Sequence, residues 1–144
     1  MDEKVYDRAL ESTTDELINR LNLLRDGNQI DISKDDIKNI ETILGTEKSI
    51  QLPSNSVDKI LMVDVYHEFN FPAEIIVSIK RALKPNGELF LIEYRSEDSA
   101  VPIKAIHKMS EKQAVREMEA AGFKLKKNIT NLPWQHCMVF VKKN

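Results

Sequence analysis

Two apolar runs joined by a helix signal constrain this chain more than anything else in it. Lys59-Ile60-Leu61-Met62-Val63-Asp64-Val65 and Glu88-Leu89-Phe90-Leu91-Ile92-Glu93-Tyr94 each have an unbroken apolar centre. Such a run reads as a strand covered on both faces, the mark of a central parallel strand. Between them, Pro72 suits the first turn of a helix, and Ile75, Ile76, Ile79 and Leu83 form its apolar stripe. Pro85-Asn86-Gly87 breaks that helix and turns the chain. Strand, helix, strand is a right-handed parallel crossover, so the two runs are expected side by side at the centre of a sheet.

The rest of the chain extends this pattern. Upstream, Thr13 and Glu16 have capping-box spacing, Leu17, Leu21 and Leu24 share a helical face, and Gly27 ends the helix. Gln29–Ser33 alternates like a short strand, Lys34–Lys38 reads as a single turn, and Ile40–Leu44 reads as a strand stopped by Gly45. Downstream, Ser110 and Gln113 open a helix with Ala114, Met118 and Ala121 on one face and Gly122 at its end. Lys124–Ile129 and Cys137–Val141 are the last strands, and with no helix between them one must run antiparallel. The order predicts an α/β fold: a mostly parallel sheet with helices on its faces and an antiparallel C-terminal strand. No repeat or linker divides the 144 residues, so a single domain is expected over 1–144, with residues 1–39 as an N-terminal helix and connection.

Composition enters by what it excludes. A net charge of −2 and a pI near 5.9 leave no basic field for nucleic acid. A single cysteine rules out a disulfide framework within the chain and fits a reducing compartment. The absence of a signal-peptide core or membrane span in the sequence sets the expectation of a cytoplasmic protein without a membrane partner. The four glycines, Gly27, Gly45, Gly87 and Gly122, are far apart. Neither GxGxxG nor GxxxxGK[ST] is present.

IETILGTEKSIQLPSNSVDKILMVDVYHEF, RALKPNGELFLIEY and HKMSEKQAVREMEAAGFKLKKNITNLPWQH together resemble the later part of class I S-adenosylmethionine-dependent methyltransferases. The middle block, Arg81-Ala82-Leu83-Lys84-Pro85 with the Asn86-Gly87 turn and the apolar strand after it, is the most specific. The resemblance covers residues 40–144 and makes Ile40–Leu44 the third strand, Lys59–Val65 the fourth, Glu88–Tyr94 the fifth and the final pair the sixth and seventh. It also implies a glycine-rich loop after the first strand to hold the amino-acid end of the cofactor. Two strand–helix units take about 60 residues, but only 39 precede Ile40, so that first unit is truncated or rebuilt.

The resemblance ranks the candidate site residues. Asp31, after Gln29-Ile30, looks like the acid that holds the cofactor ribose. Thr46 and Glu47 follow the third strand, where Glu47 would accept from the adenine amino group; otherwise they form a polar loop. Asp64, Tyr66, His67 and Glu68 end the fourth strand, beside the reactive methyl group in the family, with Asp64 as a cofactor contact and His67 and Tyr66 as catalytic candidates. His67 there takes a proton from a nucleophile, or hydrogen-bonds locally; Tyr66 and Phe69 otherwise pack under the next helix. Glu93, Tyr94 and Arg95 border the same crevice, with a solvated strand end as the plain reading. His107-Lys108-Met109 and Trp134-Gln135-His136 belong to the family-like tail, Trp134 as a buried anchor or a stacking residue. No metal site is expected: His67-Glu68 lacks the second histidine of HExxH, and His136 and Cys137 point to opposite faces of a strand. Cys137 reads as a small packed residue.

Three functional readings follow. The chain is a methyltransferase-like protein without the cofactor loop, non-catalytic and serving interaction or assembly. Alternatively it is an active methyltransferase whose cofactor site is completed by a second chain or an unusual N-terminus. Or it binds a different small molecule in the residual crevice. S-adenosylmethionine is the one cofactor implied, with binding weak or absent. The missing first strands leave Lys59–Val65 with an apolar edge, for which a homodimer or another protein partner is expected.

Overall fold

A computed structural model describes residue 41 and residues 43–143. The Leu17–Leu24 helix signal, the Gln29–Ser33 stretch and Asp31 lie outside the described residues. Within them the two apolar runs become strands β1 (Val57–Val63) and β2 (Leu83–Arg95), joined by helix α1 (Pro72–Ala82). They pair in parallel, Ile60 opposite Leu89 and Val63 opposite Ile92. β3 (Lys108–Met109), α2 (Glu111–Ala120), β4 (Phe123–Ile129) and β5 (Gln135–Lys142) follow. The sheet order is β1-β2-β5-β4, with β3 also on β2. β5 runs antiparallel to both β2 and β4, which places the expected antiparallel strand at the C-terminus. Tyr94 pairs with Gln135 on one side and Lys108 on the other, so β3 continues the line of β1 beyond its end.

The helices form for the reasons legible in their residues. Pro72 sits in the first turn of α1, and Ile75, Ile76, Ile79 and Leu83 are all buried. Ser110 caps α2, its hydroxyl accepting from Gln113 N–H at 3.1 Å. Gly122 follows α2 at φ +86°, the left-handed position that ends helices most cheaply with glycine. Both helices share one apolar cluster with Leu89 and Leu91 of β2 and Met138 and Phe140 of β5. Leu89 lies opposite Phe140 and Leu91 opposite Met138, so these alternate positions define the covered face.

Three expectations need correction. β1 is one of the two end strands among the described residues, and its other apolar residues are only partly buried beside buried Met62, so it is neither central there nor fully covered on both faces. β2, flanked on both sides, buries Leu89, Phe90, Leu91, Glu93 and Tyr94. The break at Pro85–Gly87 falls inside β2: Val57 pairs with Leu83 and Lys59 with Glu88, so Lys84–Gly87 loop out of the ladder. Gly87 is needed there, because a Cβ would meet Leu83 Cδ2 at 2.7 Å and Asp58 O at 3.0 Å. Finally, Glu41, Ile43 and Leu44 are not in a strand, and Leu44 is 93% exposed. A strand exists only where its N–H and C=O groups find a ladder, and none of the described residues pairs with this segment.

Candidate functional site

β1 ends in a sharp turn. Asp64 adopts φ +49°, which aspartate tolerates better than most residues, while its N–H still donates to Ile92 O at 2.8 Å. Tyr66–Glu68 then form a single 3₁₀ turn beyond the carboxyl end of β1, the region where open α/β sheets place their ligand crevices.

Glu93 organises that turn. It follows Leu89 and Leu91 on the covered face of β2 and is completely buried. One carboxylate oxygen, Oε1, accepts from Tyr66 N–H at 2.8 Å, and the other, Oε2, meets His67 Nδ1 at 2.7 Å. Burial pushes the Glu93 carboxyl above its ordinary value, and the bonds from His67 and Tyr66 oppose that rise. We take Glu93 as the ionised acceptor of the Tyr66 N–H, and its second oxygen then places the His67 proton on Nδ1. Nε2 is then left with its lone pair.

That lone pair points at further polar atoms. His67 Nε2 lies 3.2 Å from His107 Nδ1 and 3.3 Å from Glu68 Oε1, and Glu68 Oε1 lies 3.2 Å from His107 Nδ1. Asp64 Oδ1 is 3.8 Å from His67 Nδ1. His107 arrives from a second 3₁₀ turn, Ala105–His107, which the pairing of β3 with β2 brings alongside. Tyr66 is buried, and its hydroxyl donates to Glu117 Oε2 at 2.8 Å. Burial, and then the Glu117 carboxylate, push the phenol far above its ordinary value, so it stays a neutral donor.

The structure therefore gathers Asp64, Tyr66, His67 and Glu68 as the sequence suggests, and adds two residues. Glu93 is no solvated strand end; the Leu89–Leu91–Glu93 alternation is the signal that places it inside. His107 has no local signal, because it is forty positions from His67 and arrives only through strand pairing. Thr46 and Glu47 sit in an exposed turn closed by Thr46 N–H donating to Ser49 O at 2.8 Å. That turn is tied to α1, since Ser78 Oγ accepts from Ile50 N–H at 3.0 Å. Arg95 holds the approach to β5 by donating to Leu132 O and Pro133 O. Trp134 is 44% exposed, not a buried anchor. Cys137 is buried as expected, and burial raises its thiol.

A family model described as a methyltransferase domain matches residues 17–91, just over half of the chain. The chain belongs to the class I S-adenosylmethionine-dependent methyltransferases. The match starts upstream of Ile40 and so takes in part of the segment that the quoted motifs leave aside. The uncharacterized methyltransferase YdaC of Bacillus subtilis (strain 168) is 33% identical over 86 residues, 60% of this chain and 46% of that protein. A SAM-dependent methyltransferase from Aquifex aeolicus is similar in structure, with TM-score 0.69 and 26% identity over 76% of this chain and 58% of that one. The trans-methyltransferase CalH, in complex with SAH, shares the fold at TM-score 0.62 and 16% identity, over 77% of this chain and 38% of CalH. This methyltransferase chain thus spans about half the length of the curated relative it matches. Among the described residues no helix is long and apolar enough to cross a membrane.

Proposed function

We propose that this 144-residue methyltransferase chain supplies the acceptor side of the family's crevice and does not transfer methyl groups by itself. The observation that carries this reading is the use made of its glycines. Gly87 packs against Asp58 O, Gly122 ends α2, and Gly45 faces Ser49 O at 3.2 Å where a Cβ would stand. None of these described glycines opens a cradle for the amino-acid end of S-adenosylmethionine, so the described residues do not fit that part of the cofactor. Losing several charge-assisted hydrogen bonds of about 1.5–3 kcal/mol each weakens binding by orders of magnitude. Its role alone is interaction or assembly, with the edge of β1 that is outermost among the described residues as the surface that a second copy or another protein covers.

A second reading is favoured by the Glu93–His67 pair. A buried carboxylate is costly, and this one fixes the tautomer of an imidazole at the strand ends where family ligands bind. Once another segment or chain supplies the cofactor loop, the same cluster receives the methyl acceptor and His67 Nε2 takes its proton. Asp64 and Tyr66 then shape that position, and Thr46, Glu47 and Asp31 are the residues left to meet the nucleoside.

Calorimetric titration of the chain with S-adenosylmethionine and S-adenosylhomocysteine decides between them. The expected result is no binding in the micromolar range and no transfer of labelled methyl groups. Micromolar binding by the chain alone overturns the first reading. Light scattering at tens of micromolar tests the partner, with a dimer expected and a monomer counting against it.

A further inference from the structure

His67 Nε2, Glu68 Oε1 and His107 Nδ1 form a nearly equilateral triangle with sides of 3.3, 3.2 and 3.2 Å. With the His67 proton on Nδ1, Nε2 and the carboxylate oxygen are both acceptors. His107 Nδ1 has at most one proton to share between them while its ring is neutral. That single proton leaves one acceptor without a full hydrogen bond, and a cation placed between the three atoms would serve all of them at once. We propose that these three atoms form a binding site for a divalent transition-metal ion of the zinc class.

Four features point the same way. First, the triangle has the size of one face of a zinc tetrahedron: bonds of about 2.0–2.1 Å at tetrahedral angles put ligand atoms about 3.3 Å apart. Second, the donor set is two imidazole nitrogens and one carboxylate, which suits zinc and its neighbours rather than the all-oxygen surroundings of magnesium or calcium. Third, His67 already has the outer partner that metal-bound histidines require, with Nδ1 on the buried Glu93 at 2.7 Å, which orients the ring and raises its basicity. Fourth, exposure is graded: the side chain of His67 is 7% exposed, those of Glu68 and His107 46% and 42%. A rigid inner ligand with two outer ones gives an ion a way in. Three protein ligands also leave a coordination position for water or a substrate oxygen.

Asp64, His67 and Glu93 form a second close group, but it uses His67 Nδ1, which the Glu93 hydrogen bond occupies. The outer triangle is therefore the site. A bound metal takes the lone pair that His67 otherwise offers to a proton, and the polar end of the crevice then acts on an acceptor oxygen through the ion. The site does not rest on cofactor binding, and it is titrated with no S-adenosylmethionine present.

The test uses the whole chain, stripped with chelator and titrated with Zn2+ alone by calorimetry, with Co2+ absorption as the second readout. One Zn2+ per chain is expected at micromolar or tighter affinity, with Mg2+ failing to compete, and Co2+ should show the intense visible bands of a four-coordinate site. His107→Ala and Glu68→Ala change half-exposed residues and should each weaken Zn2+ binding at least tenfold. Glu93→Gln should weaken it about 10–100-fold through His67. Glu97→Gln, outside the cluster, should leave it unchanged. Zn2+ binding that His107→Ala does not alter, or no binding to a folded chain, overturns the proposal and leaves a proton as all that holds the triangle together. Equal affinity for Mg2+ overturns it as well.

Discussion

His67 and His136 each touch a carboxylate at under 3 Å, yet the two clusters do different work. Around His136 each ring nitrogen has its own complementary partner. Asn128 Nδ2 donates to Nδ1 at 3.0 Å, Nε2 donates to Glu97 Oε2 at 2.9 Å, and Asn128 Oδ1 accepts from Cys137 N–H at 3.1 Å. Asn128 also donates to Glu111 Oε2, and Glu111 N–H to Glu97 Oε1, so this network ties β4, β5 and the start of α2 together. Around His67 the inner side has a partner of its own, while on the outer side two acceptors share the one proton of a neutral His107. Nδ1 meets Glu93, while Nε2 faces a carboxylate oxygen and a second imidazole. A closed network of these residue types rigidifies the fold, and one with an acceptor to spare leaves room for a further bond.

Substitutions break this comparison most sharply at Glu93. Glu93→Ala leaves the Tyr66 and His67 N–H groups without their buried acceptor, and it should cost about 1–3 kcal/mol for each of them in urea unfolding. His136→Ala opens the closed network and should cost about 1–3 kcal/mol while leaving Zn2+ affinity intact. Glu68→Gln goes the other way. It removes one of the facing acceptors, so the metal-free chain should keep its stability within about 0.5 kcal/mol. If Glu68→Gln unfolds the chain as readily as His136→Ala does, the outer triangle is part of the scaffold and the contrast between the clusters fails.

The sequence shows the scaffold better than the site, and particular residues explain why. The α1 stripe, the Ser110 cap and the pairing of the two apolar runs are set by periodicity and local chemistry, which a linear reading captures. Asp64 to Glu68 are neighbours in the chain, so their gathering at one strand end is visible too. Glu93 was open to reading through the alternation of β2, but a charge at a strand end suggests solvent until the covered face is known. His107 reaches the cluster only because two residues of β3 pair with Tyr94 and Arg95, a contact that leaves no periodic trace. Ile43 and Leu44 err in the opposite sense: apolar residues in a strand-like pattern form no strand among the described residues where no ladder receives them.

The smallest effect is a pH dependence confined to the closed cluster. At Glu97 burial acts upward and is the largest single influence. The hydrogen bonds from His136 and from Glu111 N–H together outweigh it, holding the carboxyl below its ordinary 4.5. A carboxyl lower in the folded than in the unfolded chain contributes stability above the unfolded value, and loses it as pH falls through the folded one. Glu97→Gln keeps the shape and an acceptor oxygen but removes the charge. Because the Glu97 side chain is 46% exposed, solvent screens the pair, and the variant should be less stable at pH 6.5 by under about 1 kcal/mol. That deficit should shrink as pH falls below 4.5 and on through the lower value of the folded carboxyl, where the native group also becomes neutral. Urea unfolding of both forms at pH 6.5 and 3.5 measures it. A deficit unchanged at the lower pH assigns the contribution to shape rather than charge, and the His136 cluster then differs from the His67 cluster in packing more than in electrostatics.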